Sequence, residues 1–399
     1  MGLEIRSARP EEMEEFARVA STALVASPEL MRAVRPEWTL CAFENGILAT
    51  SYAAWPFTMR FSGEGVSVAG VTTVGTLPIY RRRGYLRKIM ATHFELLHER
   101  GEQPIAILIA SLAAICQRYG YAVVSTHNSY NVEPRYLEFP LARPVPGAFR
   151  EASDDEFGLL VELYRRFRAD RNGYLHRGRA MWEAGVLAPA PTRGLLSKVI
   201  YEEASEPHGY VIYTVEPSPE ALPGKPGQRL TIRDLVWLTT SAYQAAWNYF
   251  AHMDLIGSIL WQRVPSDDPL SHLLLEPRML HVTSRDGILA RIVDVERALP
   301  KRRYPIEGTL TFEILDDLCP WNHGRWKLET SAVETSVRRT SEAPQLVMPV
   351  STLAMLAFGQ ISAVEAAHMG RLDVLEPNAL SSWDTVMRTA YRPFCPDIF

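Results

Sequence analysis

The sequence predicts an α+β protein of three domains, and three observations carry that prediction. The chain has 399 residues, which at roughly 100–200 residues per domain means about two to four domains. Strand-like and helix-like stretches follow one another neither as a βαβ repeat nor as a meander, which predicts mixed, mainly antiparallel sheets with helices on their faces. The strand–helix–strand order of Val66–Ala110 also recurs over Leu230–Gln262, as expected if a second domain is a diverged copy of the first. Breaks are expected near residues 145 and 290.

Taken in order, Leu3–Ser7 alternates apolar and polar residues as a short strand does. Pro10 followed by Glu11, Glu12, Glu14 and Glu15 opens a helix with acidic residues in its first turn, where the helix dipole favours them. Met13, Phe16, Val19 and Ala20 give that helix an apolar face. Leu40–Phe43 and Ile47–Trp55 read as a hairpin across Asn45-Gly46. Val66–Leu77 is the next strand, Arg83–Arg100 a helix, Ile105–Ala110 a buried strand, and Tyr121–Thr126 a further strand after a short helix. Pro140–Gly147, rich in Pro, marks a boundary. Beyond it, Ser153 caps a helix over Phe157–Arg168. Strands at Leu195–Glu202 and Tyr210–Val215 flank a turn expected at Pro207–Gly209. An exposed loop is expected over Pro217–Gln228, then a strand Leu230–Leu238, a helix Ser241–Met253 and a strand Leu255–Gln262. The last region holds a hairpin, Gly308–Leu315 with Gly324–Thr330, then a strand at Gln345–Met348 and helices Ser351–Phe358 and Ser362–Met369.

Composition excludes several classes of function. Hydrophobic residues make up 47% of the chain, with 9 Trp, 16 Tyr and 14 Phe, so it is not disordered. Lys+Arg 42 against Asp+Glu 46 gives a net charge of -4, without the basic footprint of a nucleic-acid binder. Cys41, Cys116, Cys319 and Cys395 have no short spacing, which argues against a disulfide scaffold or a zinc ribbon. The His residues are dispersed, and no metal site is expected. The N-terminal stretch reads as neither a signal peptide nor a myristoylation signal, since Arg6 stands where the latter wants Ser or Thr. The apolar run Pro104–Cys116 is too short to span a membrane, and a cytoplasmic location is expected.

The most informative segment is Val71–Met90, in which a strand runs through Pro78 into Arg81-Arg82-Arg83-Gly84 and a helix-forming run. An arginine run is ordinarily a solvated surface. Between a strand and a helix, with Gly84 allowing close backbone approach, the same residues present successive amides and the positive end of a helix dipole to one anion. Arginine side chains add charge-assisted bonds, and a pyrophosphate is the anion such a turn grips.

This segment resembles the Arg-x-x-Gly-x-Gly/Ala loop of the GNAT N-acetyltransferases, which binds the pyrophosphate of acetyl-CoA. Leu86 stands where typical members have Gly or Ala. With that departure, its length and its terminal Phe, the chain looks like a member of the Eis (enhanced intracellular survival) family. The resemblance implies tandem GNAT domains, the second degenerate, followed by a sterol-carrier-protein-like α+β domain. Its divisions would be residues 1–145, 146–290 without the arginine loop, and 291–399 with a tail returning to the first domain. Gly308–Thr330 is similar to the sterol-carrier-type hairpin.

The activity implied is acetyl-CoA-dependent direct transfer to an amine: an aminoglycoside, a lysine side chain or another small amine. Homo-hexamers are typical of the family. By the same resemblance Val74, Gly75 and Thr76 would line the thioester, Arg81, Arg82, Arg83 and Gly84 would cradle the pyrophosphate, and Ser111 would touch the cofactor. GNATs commonly protonate the departing thiolate from a Tyr, but Ile115–Tyr121 places Cys116 there. Cys116 is then either a small buried hydrophobe or an acid whose ordinary pKa, about 8.5, lies near that of a thiol leaving group. Tyr121, like Tyr119, is either core or a substitute acid.

The tail Arg392–Phe399 carries two prolines and three apolar anchors, Phe394, Ile398 and Phe399. It is read either as packing or as bringing the Phe399 α-carboxylate to the substrate amine, as in the family. Carboxylates for a polycation are sparse: Glu29 stands alone in the stretch after Phe16, and only Asp267, Asp268 or Glu276 of the second domain offer compensation. An apolar-flanked amine is therefore expected. The readings that compete with the enzyme are a non-catalytic acyl-CoA-binding protein that lost its acid, and a lipid-binding scaffold.

Overall fold

The computed structural model describes residues 2–27, 31, 33–140, 145–190, 194–218, 226–331 and 334–399. Its first sheet begins with β1 (Leu3–Arg6), β2 (Cys41–Glu44), β3 (Ile47–Phe61), β4 (Glu64–Thr76), β5 (Ile105–Leu108) and β6 (Ala122–Val123). Helices α1 (Met13–Leu24), α2 (Tyr85–Arg100) and α3 (Ala113–Gln117) lie between them. The Asn45-Gly46 turn forms as expected, both residues at positive φ. A second such turn, Ser62-Gly63, joins β3 to β4, so β3 runs six residues past Trp55. Pro56 sits inside β3 because β2 pairs with it only as far as Thr50, which leaves Pro56 facing no ladder on that side.

The second sheet contains β7 (Thr126–Val132), β8 (Ala148–Glu151), β9 (Leu195–Glu203), β10 (Glu206–Pro217), β11 (Gln228–Trp237), β12 (Ile256–Pro265) and β13 (Thr283–Asp286). Its helices are α4 (Phe157–Phe167), α5 (Arg179–Ala184), α6 (Thr240–Ala251) and α7 (Leu270–Leu273). The expected Ser153 cap is present, with the Glu156 carboxylate accepting from the Ser153 amide at 2.9 Å. The turn expected at Pro207–Gly209 is a bulge instead. The chain reverses at Ala204-Ser205, both at positive φ, and Pro207–Gly209 shifts the register of β10 against β9. Part of the Pro140–Gly147 boundary and of the Pro217–Gln228 loop lies outside the described residues.

The chain then returns to the first sheet through β14 (Leu289–Ile292), passes α8 (Val295–Ala298), and builds a third sheet. That sheet comprises β15 (Gly308–Leu315), β16 (Gly324–Thr330), β17 (Thr335–Arg339), β18 (Leu346–Pro349) and β19 (Asp373–Val374), with α9 (Val350–Phe358), α10 (Ala363–His368) and α11 (Ala379–Val386).

Strand order exposes a relation between the first two sheets. They read β1-β2-β3-β4-β5-β14-β6 and β8-β9-β10-β11-β12-β7-β13. In each, the fourth and fifth strands are parallel and every other neighbour is antiparallel. The sixth strand of the first sheet, β14, follows the whole of the second sheet in sequence, whereas the sixth of the second, β7, comes directly after β6 and before the rest of its own sheet. The compact units accordingly do not follow chain order: residues 1–125, 287–390 and 399 form one, and 126–286 with 391–398 the other. The break expected near residue 145 falls inside the second unit, because β7 already belongs to the second sheet. A propensity reading that joined Tyr121–Thr126 into one strand could not show this, since both pieces extend and only their partners differ.

Within the first unit, a buried arginine ties the third sheet to the first. Arg291 on β14 donates to both Asp316 oxygens at 2.8 Å and to the Tyr119 carbonyl at 2.7 Å, with both side chains of the ion pair almost wholly buried. Asp316 in turn accepts from the Leu318 and Cys319 amides and from Asn322. Gly120, at φ +81°, must lack a side chain, because a Cβ there would lie 1.7 Å from the Arg291 guanidinium.

The core between the first sheet and α2 holds one polar pair. The Tyr52 hydroxyl and His93 Nδ1 lie 2.6 Å apart, both buried. Burial, aided by Arg100, lowers the His93 pKa to about 4, whereas an unfolded imidazole titrates near 6.5. Between those values the unfolded chain binds a proton that the folded chain does not. Stability from this group is therefore full above pH 6.5 and falls as the pH drops toward 4. The expected loss is on the order of 3 kcal/mol. Melting curves between pH 7.5 and 4.5 should show it, and His93→Gln should flatten the profile; an equally steep profile in the variant would clear His93 of the effect.

Candidate functional site

The site grows out of the way β4 is paired. Along its whole length β4 pairs with β3, but on its other side β5 joins it only over Val68–Val71, opposite Ile105–Leu108. Beyond Val71 the two parallel strands part, and the backbone of Thr72–Thr76 has no strand on that side. A bulge sits at the opening. Ser51 pairs with Gly75 and Ala53 with Thr72, so β4 carries one extra residue, and Thr73 is held at φ +51°. A β-branched residue there is strained and persists only where its surroundings enforce it. The buried Ser51 hydroxyl does so, lying 2.8 Å from the Thr73 carbonyl and 3.2 Å from that of Gly75. Gly75 faces α1 so closely that a Cβ would come within 2.6 Å of the Ala23 side chain. The bulge thus re-aims the amides of Val74, Gly75 and Thr76 relative to the regular strand. Sequence reasoning missed Ser51 and Thr73, because neither residue type advertises a bulge.

The arginine turn follows directly. A 3-10 turn over Pro78–Tyr80 leads to Arg81 in extended conformation, Arg82 at φ +63°, Gly84 at φ +79° and then α2. The first main-chain bond into the helix is from the Lys88 amide to the Gly84 carbonyl. Among the described residues, the amides from Arg82 to Arg87 have no main-chain acceptor, which leaves the helix N-terminus able to receive an anion. A Cβ built on Gly84 meets nothing within 4 Å. The three arginines differ in their commitments. Arg83 donates to Glu44 at 2.7 Å and to the Ile79 carbonyl, and lies over the Tyr80 ring. Arg81 bonds the Thr76 carbonyl at 3.2 Å. Arg82 is exposed and has no hydrogen-bond or ion-pair partner among the described residues.

Ser111 is exposed between β5 and α3, at the diverging end of the parallel pair. Cys116 and Tyr121 are placed otherwise. Both belong to the apolar cluster between the first sheet and α2, which also contains Phe94, Leu108 and Cys319. Burial pushes the Cys116 thiol up to about 11, so the expected match to a thiol leaving group is not met. Tyr121 is wholly buried against Phe94, burial raises its pKa far above the ordinary range, and its hydroxyl has no partner among the described residues. Their geometry is that of core residues.

Phe399 lies in the first unit. Its ring meets Phe57 edge to face, with centroids 5.0 Å apart, and a Cβ on Gly70 would lie 3.4 Å from it and 2.5 Å from the Phe57 ring. Gly70 is the residue before the last position at which β4 pairs with β5, so the Phe399 ring sits beside the opening. Trp55 stacks on Phe57 at 6.3 Å, and Trp38 meets Trp55 at a tilt with centroids 4.8 Å apart, which extends a half-buried aromatic row along β3. Two of the carboxylates suggested as compensation are engaged within the second unit. Asp268 is buried under Tyr130 and Tyr243, and Asp267 accepts the Arg392 amide. Glu276 is exposed, and Glu29 lies outside the described residues. Among the described residues no three His, Cys, Asp or Glu side chains gather as a metal site, and no helix is long and apolar enough to cross a membrane.

Comparison with known proteins places this geometry. Residues 4–124 and 173–292 each match an acetyltransferase (GNAT) domain, and residues 295–396 match a sterol carrier protein domain. An uncharacterized N-acetyltransferase of Streptomyces avermitilis is 30% identical across 84% of this chain and 83% of that protein. The N-acetyltransferase Eis of Mycobacterium tuberculosis is 27% identical across 79% of this chain and 77% of its own length. The crystal structure of Eis1 from Mycobacterium abscessus superposes with a TM-score of 0.85 at 27% identity, covering 99% of this chain and 100% of that one. Two GNAT domains followed by a sterol-carrier-like domain, with an arginine turn on the first alone, make this chain a member of the Eis-type family of GNAT N-acetyltransferases.

Proposed function

We propose that the protein transfers the acetyl group of acetyl-CoA directly to an amine at the opening between β4 and β5. The observation that carries this reading is the run of unpaired β4 backbone leading straight into a turn with free amides and an uncommitted arginine. Arg82, the amides after it and Gly84 would hold the pyrophosphate, with Arg81 and Arg83 closing the turn. An amide among Val74–Thr76 would polarise the thioester carbonyl and stabilise the oxyanion. Ser111 would border the cofactor on the β5 side. The amine nitrogen attacks the carbonyl carbon, the C–N bond forms, and the C–S bond breaks to release CoA. The nitrogen's proton passes to the Phe399 carboxylate, directly or through water.

The aromatic row Trp38–Trp55–Phe57–Phe399 supports an amine carried on an apolar flank rather than a polycation. Cys116 stands where the family's acid would be. A buried thiol held protonated to about pH 11 is a poor donor, however, and solvent is the better source of the thiolate's proton.

Initial rates of CoA release with a panel of amines test the reading; release at the buffer rate for every amine would sink it. Arg82→Glu should raise the acetyl-CoA KM about tenfold to a hundredfold, the worth of one or more charge-assisted bonds. Arg83→Glu should cost less, because that side chain is already committed to Glu44. Equal and negligible effects would return the arginines to a solvated surface. Removing Phe399 should lower kcat by roughly a hundredfold while moving the melting temperature little. Cys116→Ala should keep kcat within about threefold, and a larger fall would restore the thiol as the acid.

A further inference from the structure

In the second sheet, β11 and β12 are the parallel pair. They bond over 228–232 and 256–261 and then part, as β4 and β5 do. The C-terminal segment 391–398 belongs to this unit; just past the point where the strands separate it is bonded to β12 directly and to β11 only through the bridging side chain of Arg177. The Cys395 carbonyl accepts from Arg263 of β12 at 3.2 Å. The Asp397 carboxylate accepts from Arg177 Nε at 2.7 Å, and Arg177 Nη1 donates to Asp234 of β11 at 2.5 Å. The Tyr210 hydroxyl donates to the same Asp234 oxygen at 2.7 Å.

Upstream, the Phe394 amide donates to the Asn172 carbonyl at 2.9 Å, and the Phe394 ring is buried edge-on to Tyr174. Gly173 permits that approach, since a Cβ there would lie 2.8 Å from the Phe394 carbonyl. The side chains of Arg177 and Asp397 are only 1% and 9% exposed. A pair so placed does little for net stability after its desolvation cost, and its worth is in fixing one geometry.

We propose that the second GNAT-like opening has become the receptor for the chain's own C-terminal segment, and that Asp397 and Arg177 are positioning residues that fix where Phe399 ends. The inference rests on the reading of Phe399 given above. Anchoring Asp397 confines Phe399 to within about 7 Å, because each residue spans at most about 3.5 Å. Pro393 and Pro396 lock two backbone angles of the same segment. The second domain thus keeps the split-strand architecture and uses it to hold a peptide where the first domain uses it for a cofactor.

Asp397→Asn in the full-length protein tests this, because Arg177 keeps Asp234 as a counter-ion and the fold has a partner for its charge. Timed carboxypeptidase digestion read by mass spectrometry should release Phe399 and Ile398 at least about tenfold faster from the variant than from the wild type. Its kcat should fall about tenfold, with the acetyl-CoA KM within about twofold of wild type. Deleting Phe399 in the Asp397→Asn background should cost less than the same deletion costs in the wild type, since both changes act through one group. Release at the wild-type rate, or losses that multiply, would overturn the proposal. Should Asp397→Asn fail to fold, Asp397→Glu keeps the charge but shifts the chain end, and is expected to move the same three readouts in the same directions; wild-type values would count against the proposal. A wild-type protein that acetylates no amine would sink the catalytic reading alone, because the carboxypeptidase measurement needs no turnover.

Discussion

Strands β4 and β5 pair for four residues and then separate, and the candidate site is a consequence of that separation. A sheet normally satisfies backbone amides by continuing its ladder. Where the ladder stops inside a folded unit, the unpaired groups must face a ligand, water or another part of the chain. Here the strained Thr73, the Ser51 hydroxyl and the close approach of Gly75 to α1 hold the open stretch in one shape, and the Arg81–Gly84 turn continues it to a helix N-terminus. Preorganised amides of this kind polarise a carbonyl without having to reorganise during reaction.

The second sheet meets the same constraint with a different solution. Its strand order repeats the first, position by position, and its parallel pair parts in the same way. Thr239 caps the following helix with its own side chain, and no arginine turn precedes that helix. The chain's own tail supplies the bonds at the opening, through Arg177 and Arg263. The two openings thus share one architecture and differ in which groups line the split.

The third sheet is fastened to the first by the buried Arg291–Asp316 pair. Because Arg291 also holds the Tyr119 carbonyl, the turn that bears Gly120 and Tyr121 is set by a residue 172 positions away in sequence. His98 stacked on Trp321 and bonded to Asp294 adds a second tie between α2 and the same region. Removing one partner of the ion pair would strand the other charge in the core, a cost of about 3–5 kcal/mol.

The sequence alone was enough for the longer helices, most strands, the Asn45-Gly46 hairpin, the arginine turn and the family, since each is written in local periodicity or a contiguous motif, but not for α5, α7, α8 and α11. It did not reveal that β14 joins a sheet built from residues far upstream, or that β7 pairs with β12 and β13, because an extended stretch looks the same whichever neighbour it joins. It did not reveal Ser51 and Thr73, since a bulge is a mismatch between two strands and belongs to neither alone. It left Cys116 open between a buried hydrophobe and an acid, because burial is a property of α2, β14 and Cys319 packed around it and not of its motif position; that burial raises the thiol's pKa. Residue type and spacing determined which groups the protein owns; the pairing of strands remote in sequence decided which of them meet solvent, a ligand or one another.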